Sequence, residues 1–497
     1  MLRFAPSPTG DMHIGNLRAA ILNFIVAKQK GEKFLIRIED TDKARNIDGA
    51  DKEILQILNL FGLFWDKLVY QSDNFKIHNE LAERLVAQGQ AFYCYATKEF
   101  LDKKRNEALA QKRAFRYDDS WAEICKSENK NPAIRLKGDL SNSSFTQDTR
   151  IANDSKDLSL QDSANAESWQ STQDNAQIAF IDKIKGECIF SQNEIDSFVI
   201  IRDDGVPTYN FACAVDDMIY DISFIIRGED HTSNTPKQIL VHKKLGYTKE
   251  IAYAHLPIIL NDLGKKMSKR ESESSVKWLL AQGFLPKAIL NYLLLMGNNP
   301  PTEIFTLDEA IEWFDLSQLS KSPVRFDINQ LRHINREHLK RLSEKEMAFL
   351  LESSSDILAN LKSKSNNGEA FVDSLDSLGK IFLEESSTLN EIRAKIERIF
   401  TPKAINDDFT QYSAEIAVLK NALLDLVAQD DECLNDFNAL KAKLSESCKI
   451  DDKPLKGKGF FMPLRFLLTG AGSGPHLDIL YPHLRAHLAE ILIFKED

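Results

Sequence analysis

LRF at residues 2–4 leads into GNLRAAILNFIVAKQKG, where Leu17, Ala20, Ile21, Phe24 and Ile25 recur at helical spacing and Gly31 supplies a stop. KFLIRIED follows, a compact apolar run ending in charge at Glu39 and Asp40, and then Ile54, Ile57, Leu58 and Phe61 repeat at helical spacing. Short apolar strands alternating with helices leave few architectures open besides a parallel sheet covered on both faces. The chain is therefore expected to begin as a doubly wound α/β domain, with the polar end of its second strand placed where such sheets meet ligands.

The alternation resumes far downstream at SFVII (197–201), ISFII (222–226) and LPIIL (256–260), separated by helical patterns. One of those helices is marked by Thr235 as a cap, Pro236 in the first turn and Gly246 at the end. One α/β domain is thus expected to be interrupted between about 93 and 190. The interruption holds a stretch from Ser141 to Ala179, rich in Ser, Asn, Asp and Gln and without a sustained period, which reads as a flexible surface insertion. From about 320 the signals become helical repeats, as in Glu344 to Leu361 and Ala414 to Leu426, so the last third reads as all-α. KGKGFFMPLRFLLTG (456–470) groups basic and aromatic residues before a Gly-rich turn.

At 497 residues the chain exceeds what one core usually organises, and 43% hydrophobic with 28% charged residues is ordinary for a folded globular protein. A net charge of −11 argues against a protein coated in positive charge, yet leaves room for one basic face that tracks a phosphate backbone. Neither a bilayer-length apolar run nor a secretory pattern is evident, and the six cysteines form no CxxC pair. These features suggest a cytoplasmic protein with reduced thiols, no disulfide framework and no membrane partner.

Two stretches carry chemistry. In RFAPSPTGDMHIGN (3–16) a proline-rich turn meets a helix start, where the helix terminus favours negative charge, Gly15 permits close approach, and His13 has a proton to donate to a phosphate oxygen. Taken alone, the same residues also suit a surface turn with a local histidine cap. KKMSKR (265–270) puts four cations in six residues after LPIIL and the loop NDLG, where they can stabilise a leaving polyphosphate, although a solvated basic loop has the same composition.

Together, PSPTGDMHIG and KMSKR resemble the HIGH and KMSKS motifs of class I aminoacyl-tRNA synthetases. RFAPSPTG, RIEDTD (37–42), PTYNFA (207–212), IIRGEDHTSNTPKQ (225–238), LPIIL and KMSKR together resemble glutamyl-tRNA synthetase over nearly the whole chain. The resemblance implies a split Rossmann-type catalytic domain (1–92 and 191–245) and an inserted α/β acceptor-end domain (93–190, with the flexible insertion at 141–179). It further implies a connecting stem-contact region with the KMSKR loop (246–319) and an α-helical anticodon-binding domain (320–497). It implies that His13, Lys266 and Lys269 are catalytic, and that Thr9, His13, Gly15, Asn16, Asp230, Lys266, Ser268 and Lys269 bind ATP. Arg3, Ser7, Glu39, Tyr209 and Arg227 would hold glutamate, and two cationic partners with one anionic partner suit two carboxylates and an ammonium. ATP with Mg²⁺, L-glutamate and tRNA are the implied cofactors and partners, with a monomer as the implied assembly.

Three departures from the family pattern stand out. Asn16 replaces the last residue of HIGH, and the insertion at 141–179 is not required by the family. The zinc ligand set of some bacterial members begins with a CxC pair, whereas here the matching place reads CYA (94–96), so no zinc is expected. Discriminating members also select the third anticodon base with an arginine, and FLEESSTLNE (382–391) puts Glu384 and Glu385 in that neighbourhood. A carboxylate cannot mimic an arginine fork. This fits a duplicated enzyme that glutamylates tRNA(Gln) for later amidation; a strict tRNA(Glu) enzyme and a non-catalytic tRNA-binding paralogue are the alternatives.

Overall fold

In the computed structural model, residues 1–138, 177–191, 194–268, 271–364 and 368–495 are described. The chain divides into two compact units, one of Met1–Ser275, Met296–Pro301 and Asp308–Phe326, the other of Val276–Leu295, Thr302–Leu307 and Asp327–Asp497. Among the described residues no helix is long and apolar enough to cross a membrane.

The first unit opens with β1 (Leu2–Phe4), α1 (Ile14–Lys30), β2 (Phe34–Ile38), α2 (Ala50–Leu60), β3 (Lys67–Tyr70) and α3 (Phe75–Ala87). It continues with β4 (Ala91–Cys94), α4 (Lys98–Ala110), β5 (Ala133–Leu136), β6 (Gln177–Asp182), β7 (Gly186–Ser191) and β8 (Phe198–Ile201). Then come α5 (Tyr209–Ile219), β9 (Phe224–Gly228), α6 (Thr235–Leu245), β10 (Ala252–Leu256), β11 (Ile259–Leu260) and, near the end of the unit, β12 (Val324–Arg325). The main sheet runs β3-β2-β1-β9-β10-β6-β7, parallel except for β7, which returns antiparallel to β6. β2 is buried along its whole length, as a strand covered on both faces must be. The fold is the doubly wound α/β class expected, with strand order reversing across β1 and β9.

Several sequence expectations shift. Of the expected flexible insertion, 141–176 lies outside the described residues, whereas Gln177–Ala179 opens β6, whose alternating burial is that of a strand with one covered face. The β6–β7 hairpin lies beside β10, with Tyr253 opposite Asp182, so the chain rejoins the catalytic sheet at Gln177, ahead of the expected boundary at 190. SFVII does not join that sheet. Its strand β8 pairs antiparallel with β5, which pairs with β4, and this three-stranded sheet shares a core with α3, α5 and α6 through Leu85, Leu136, Phe198, Phe211 and Leu240. LPIIL is two strands: Pro257 has no N–H to continue the ladder, so β10 stops at Leu256 while Ile259 and Leu260 pair with β12. β10 itself belongs to the main sheet, although 246–319 was expected to be a connecting region.

Asn234, not Thr235, precedes the first turn of α6, and the Thr235 hydroxyl is buried against other partners described below; Gly246 ends the helix at φ 74°.

The second unit is helical. The run expected at Glu344 to Leu361 is two helices, Glu344–Ser353 and Asp356–Lys364, while Ser413–Ala428 covers the second expected run. Its core gathers Leu351, Leu375, Ile392, Ile396, Leu419, Leu464 and Leu480. Gly283 sits at φ +84° with its backbone so near Asn390 that a Cβ would lie 2.6 Å from the Asn390 nitrogen, a position only glycine fits.

Candidate active site

β1 feeds a turn whose shape is set locally. Pro6 and Pro8 fix φ, and their carbonyls accept from the backbone N–H groups of Glu39 (2.9 Å) and Ile47 (2.9 Å), fastening the turn to the end of β2. Gly10 takes φ 141°, in the region that favours glycine. His13 is the N-cap of α1, and its Nδ1 accepts from the Gly15 N–H at 2.9 Å. A Cβ at Gly15 would lie 3.2 Å from that same Nδ1, so Gly15 serves the histidine cap directly. With Nδ1 accepting, the neutral ring carries its proton on Nε2. No acidic residue stands in the first turn, so the positive end of the helix dipole is uncompensated there.

The carboxyl ends of β2, β1, β9, β10 and β6 bring the charged residues together. Arg3 on β1 donates to both oxygens of Asp217 on α5, at 3.2 and 3.5 Å. Arg37 on β2 reaches the same carboxylate at 2.6 Å and Glu39 at 3.2 Å, and its Nε lies 3.8 Å from Asp216. Asp216 is further held by Gln71 (2.8 Å), Asn74 (2.9 Å) and His78 (2.8 Å). Burial alone would raise the Asp217 carboxyl, but Arg3 and Arg37 overturn that and hold it well below the usual carboxylate range. Glu39 also accepts from the Cys213 thiol at 3.0 Å; burial, reinforced by Glu39, keeps that thiol protonated by pushing it up.

Arg227, at the end of β9, differs from the other two arginines. It is buried, and its hydrogen bonds go to neutral acceptors: Nε to His255 Nε2 (3.2 Å), Nη1 to Gln238 Oε1 (2.9 Å) and Nη2 to Thr235 Oγ1 (2.7 Å). Among the described residues it forms no ion pair. A buried cation left this way is costly unless an anion arrives, so these surroundings favour an anionic ligand. Tyr209 starts α5, and its hydroxyl meets His231 Nδ1 at 3.1 Å. Burial and then Arg227 push the His231 imidazole down to about 4, so it is neutral near pH 7, and burial keeps the Tyr209 phenol protonated.

The structure thus brings Arg3, Glu39, Tyr209 and Arg227 to one end of the sheet. Ser7 and Asn16 are exposed on the turn and the first turn of α1, and Thr9 is half-buried with its N–H on the Ser7 carbonyl. After β11 the loop folds back, with the Met267 N–H on Ile259 O. Exposed Lys266 pairs with Asp230 at 3.2 Å, and the Ser268 N–H donates to Glu271. Burial would raise the Asp230 carboxyl, but His231 and Lys266 bring it below its ordinary range. Lys269 lies outside the described residues. Sequence reasoning missed Arg37, Asp216, Asp217, Cys213, Asp182 and His255. Arg37 was findable, two residues before Glu39 and so on its side of the strand.

In the CYA stretch, for which no zinc was expected, Cys94 contacts the Tyr117 hydroxyl at 3.0 Å. Tyr117 packs edge-on against Trp121 (5.6 Å), Phe100 and Phe115 complete the cluster, and Arg135 lies 3.6 Å over the Tyr117 ring. Aromatic packing and a cation–π contact hold this cluster together. Prolonged chelation is therefore expected to leave the melting temperature and activity unchanged once Mg²⁺ is restored; a drop in melting temperature reversed by zinc would contradict this.

In the second unit, Glu384 is exposed just beyond the helix Gly368–Leu383, and Glu385 is engaged by Lys395, whose Nζ lies 3.5 Å from its carboxylate. In the 456–470 stretch the helix Lys458–Thr469 leaves Phe461 exposed.

The family model for the catalytic domain of class I tRNA synthetases (E and Q) matches residues 1–161 and 169–333. A protein named glutamate–tRNA ligase 2 from Helicobacter hepaticus is 53% identical over 498 residues, covering 99% of each chain. Its namesake from Wolinella succinogenes is 51% identical over 496 residues, covering 100% of each. A Helicobacter pylori protein named glutamyl/glutaminyl-tRNA synthetase is 48% identical over 501 residues, covering 100% of each. The crystal structure of a glutamate tRNA ligase from Elizabethkingia meningosepticum, in complex with its amino acid, matches with a TM-score of 0.74 at 23% identity, covering 99% of this chain and 97% of that one; at this identity the likeness speaks for the fold. Matched by this family model over more than half its length and by relatives about half identical along all of it, the doubly wound chain belongs to the class I tRNA synthetases of the glutamyl and glutaminyl type.

Proposed function

We propose that this enzyme activates L-glutamate with ATP and passes the glutamyl group to the 3′ end of tRNA(Glu), tRNA(Gln) or both. The observation that carries the reading is Arg227, buried and charged without an acidic partner among the described residues, beside Arg3 and Glu39. Arg227 receives a substrate carboxylate. Arg3, Glu39, Tyr209 and Ser7 complete the amino-acid site, with Glu39 as the anionic partner of the ammonium.

His13, through Nε2–H, and the N-terminal end of α1 suit ATP phosphates, with Thr9, Gly15 and Asn16 alongside, Asp230 after β9 paired with Lys266, and Lys266, Ser268 and Lys269 as the basic-loop contacts the resemblance implies. Mg²⁺ would accompany the ATP phosphates and would offset part of their charge. The glutamate α-carboxylate attacks the α-phosphorus and pyrophosphate leaves. The terminal ribose hydroxyl of tRNA then takes the acyl group and AMP departs. The enzyme's share is positioning and stabilisation of charge on phosphate oxygens; no side-chain nucleophile is needed.

The inserted region expected at 93–190, whose strands β4 and β5 form one sheet with β8, supplies the acceptor-end contact, and the helical unit reads the anticodon. Charging of tRNA(Gln), for later amidation, is supported by carboxylates at 384 and 385 in place of an arginine fork and by the name of the Helicobacter pylori relative. Aminoacylation with glutamate on purified tRNA(Glu) and tRNA(Gln) side by side tests this. Efficient charging of tRNA(Gln) is expected; charging of tRNA(Glu) alone would contradict the tRNA(Gln) assignment, and charging of neither would favour a non-catalytic paralogue.

A further inference from the structure

The neutral shell around Arg227 is itself organised by a group farther out. His255 on β10 stands in register with Arg227 on β9, and both His255 and Asp182 are buried. His255 Nδ1 lies 2.6 Å from Asp182 Oδ2, which also accepts the His255 backbone N–H at 2.9 Å. Asp182 Oδ1 accepts from the backbone of Ile184 (2.8 Å) and Lys185 (2.7 Å), so the carboxylate is fully engaged where it is. A carboxylate facing Nδ1 fixes the proton there and leaves Nε2 as a bare acceptor. That acceptor faces Arg227 Nε at 3.2 Å and Thr235 Oγ1 at 3.1 Å. With Gln238 and Thr235 taking one N–H from each terminal nitrogen, one N–H on Nη1 and one on Nη2 remain for a ligand.

We propose that Asp182 and His255 are positioning residues for Arg227: the carboxylate sets the imidazole tautomer, and the imidazole holds the guanidinium in place without neutralising it, keeping it available to a substrate carboxylate. The contrast with Arg3 is instructive, because Arg3 pairs with Asp217 directly and so offers less charge to a ligand. Separating anion from cation by one neutral ring compensates the buried charge at a distance while leaving the inner partner's place open. This rests on the reading of Arg227 as an anchor for glutamate.

The test is aminoacylation kinetics of the full-length enzyme at saturating tRNA, with thermal melts to confirm folding. His255→Asn retains a donor toward Asp182 and removes the acceptor for Arg227, whereas His255→Gln puts an amide oxygen near the Nε2 position. Asp182→Asn turns an amide donor on Nδ1 and moves the ring proton to Nε2, against Arg227. His255→Asn and Asp182→Asn are expected to raise KM for glutamate roughly tenfold or more, the loss of a charge-assisted hydrogen bond, with KM for ATP changing less than about twofold. His255→Gln is expected to recover most of that loss.

Equal damage from His255→Asn and His255→Gln, or an unchanged glutamate KM in His255→Asn while Arg227→Ala raises it, would overturn the positioning role. An unchanged glutamate KM in Arg227→Ala would overturn the anchor reading and this proposal with it. Asp182 also holds the β6–β7 turn, so the His255 pair decides the matter even where Asp182→Asn does not fold.

Discussion

Asp217→Ala is expected to lower the unfolding free energy of the catalytic unit by about 3–5 kcal/mol, the cost of leaving buried cations without their partner. Two arginines converge on this carboxylate, Arg3 at 3.2 Å and Arg37 at 2.6 Å, and all three side chains are buried. Arg37 keeps Glu39 and a long contact to Asp216, but Arg3 has no other ion pair among the described residues. Asp217→Asn should fall between, since an amide oxygen still accepts but carries no charge. Because the folded carboxyl sits well below the ordinary value, its contribution is fully present above about pH 4 and is lost as pH falls from there through the folded value. Denaturant melts as a function of pH measure both effects. A change under about 1 kcal/mol in Asp217→Ala would show that the pocket relaxes around the loss.

Arg227→Ala is the second large effect, and it falls on catalysis. Its kcat/KM for glutamate is expected to drop roughly hundredfold or more, on the order of 3 kcal/mol, because a desolvated charged donor proposed to act on substrate is removed. Stability should suffer less, since the partners it abandons are neutral and two of them, Thr235 and His255, can bond each other at 3.1 Å. Arg227→Lys retains charge but not the fork and should recover only part of the activity. A loss under about threefold in Arg227→Ala, measured with tRNA present, would remove Arg227 from the site.

What the sequence revealed and concealed follows from the range of the interactions. The turn from Arg3 to Asn16, the buried strand Phe34–Ile38 and the helix behind the turn were legible because each is specified by neighbours: prolines, a cap, and a helix stop at Gly31. Glu39 and Arg227 were legible through the resemblance, and the geometry gives them distinct surroundings. The Arg3–Asp217 pair spans 214 residues and Asp182–His255 spans 73, separations at which no local pattern marks a contact. The same limit hid the return of β6 to the catalytic sheet, since a polar stretch before Gln177 carries no sign of which strand comes next. SFVII looked like one more sheet strand because burial reads alike in either sheet; pairing with Ala133–Leu136 decided otherwise.

Arg227 is proposed as the receptor of a substrate carboxylate. The most direct measurement is a crystal structure of the enzyme with bound L-glutamate, reading the distance from the Arg227 guanidinium to the nearest glutamate carboxylate. Charge-assisted hydrogen bonds at about 2.7–2.9 Å are expected, with Gln238, Thr235 and His255 still holding the other side of the guanidinium. Glutamate seated with both carboxylates on other groups, and Arg227 keeping only its neutral partners, would contradict it.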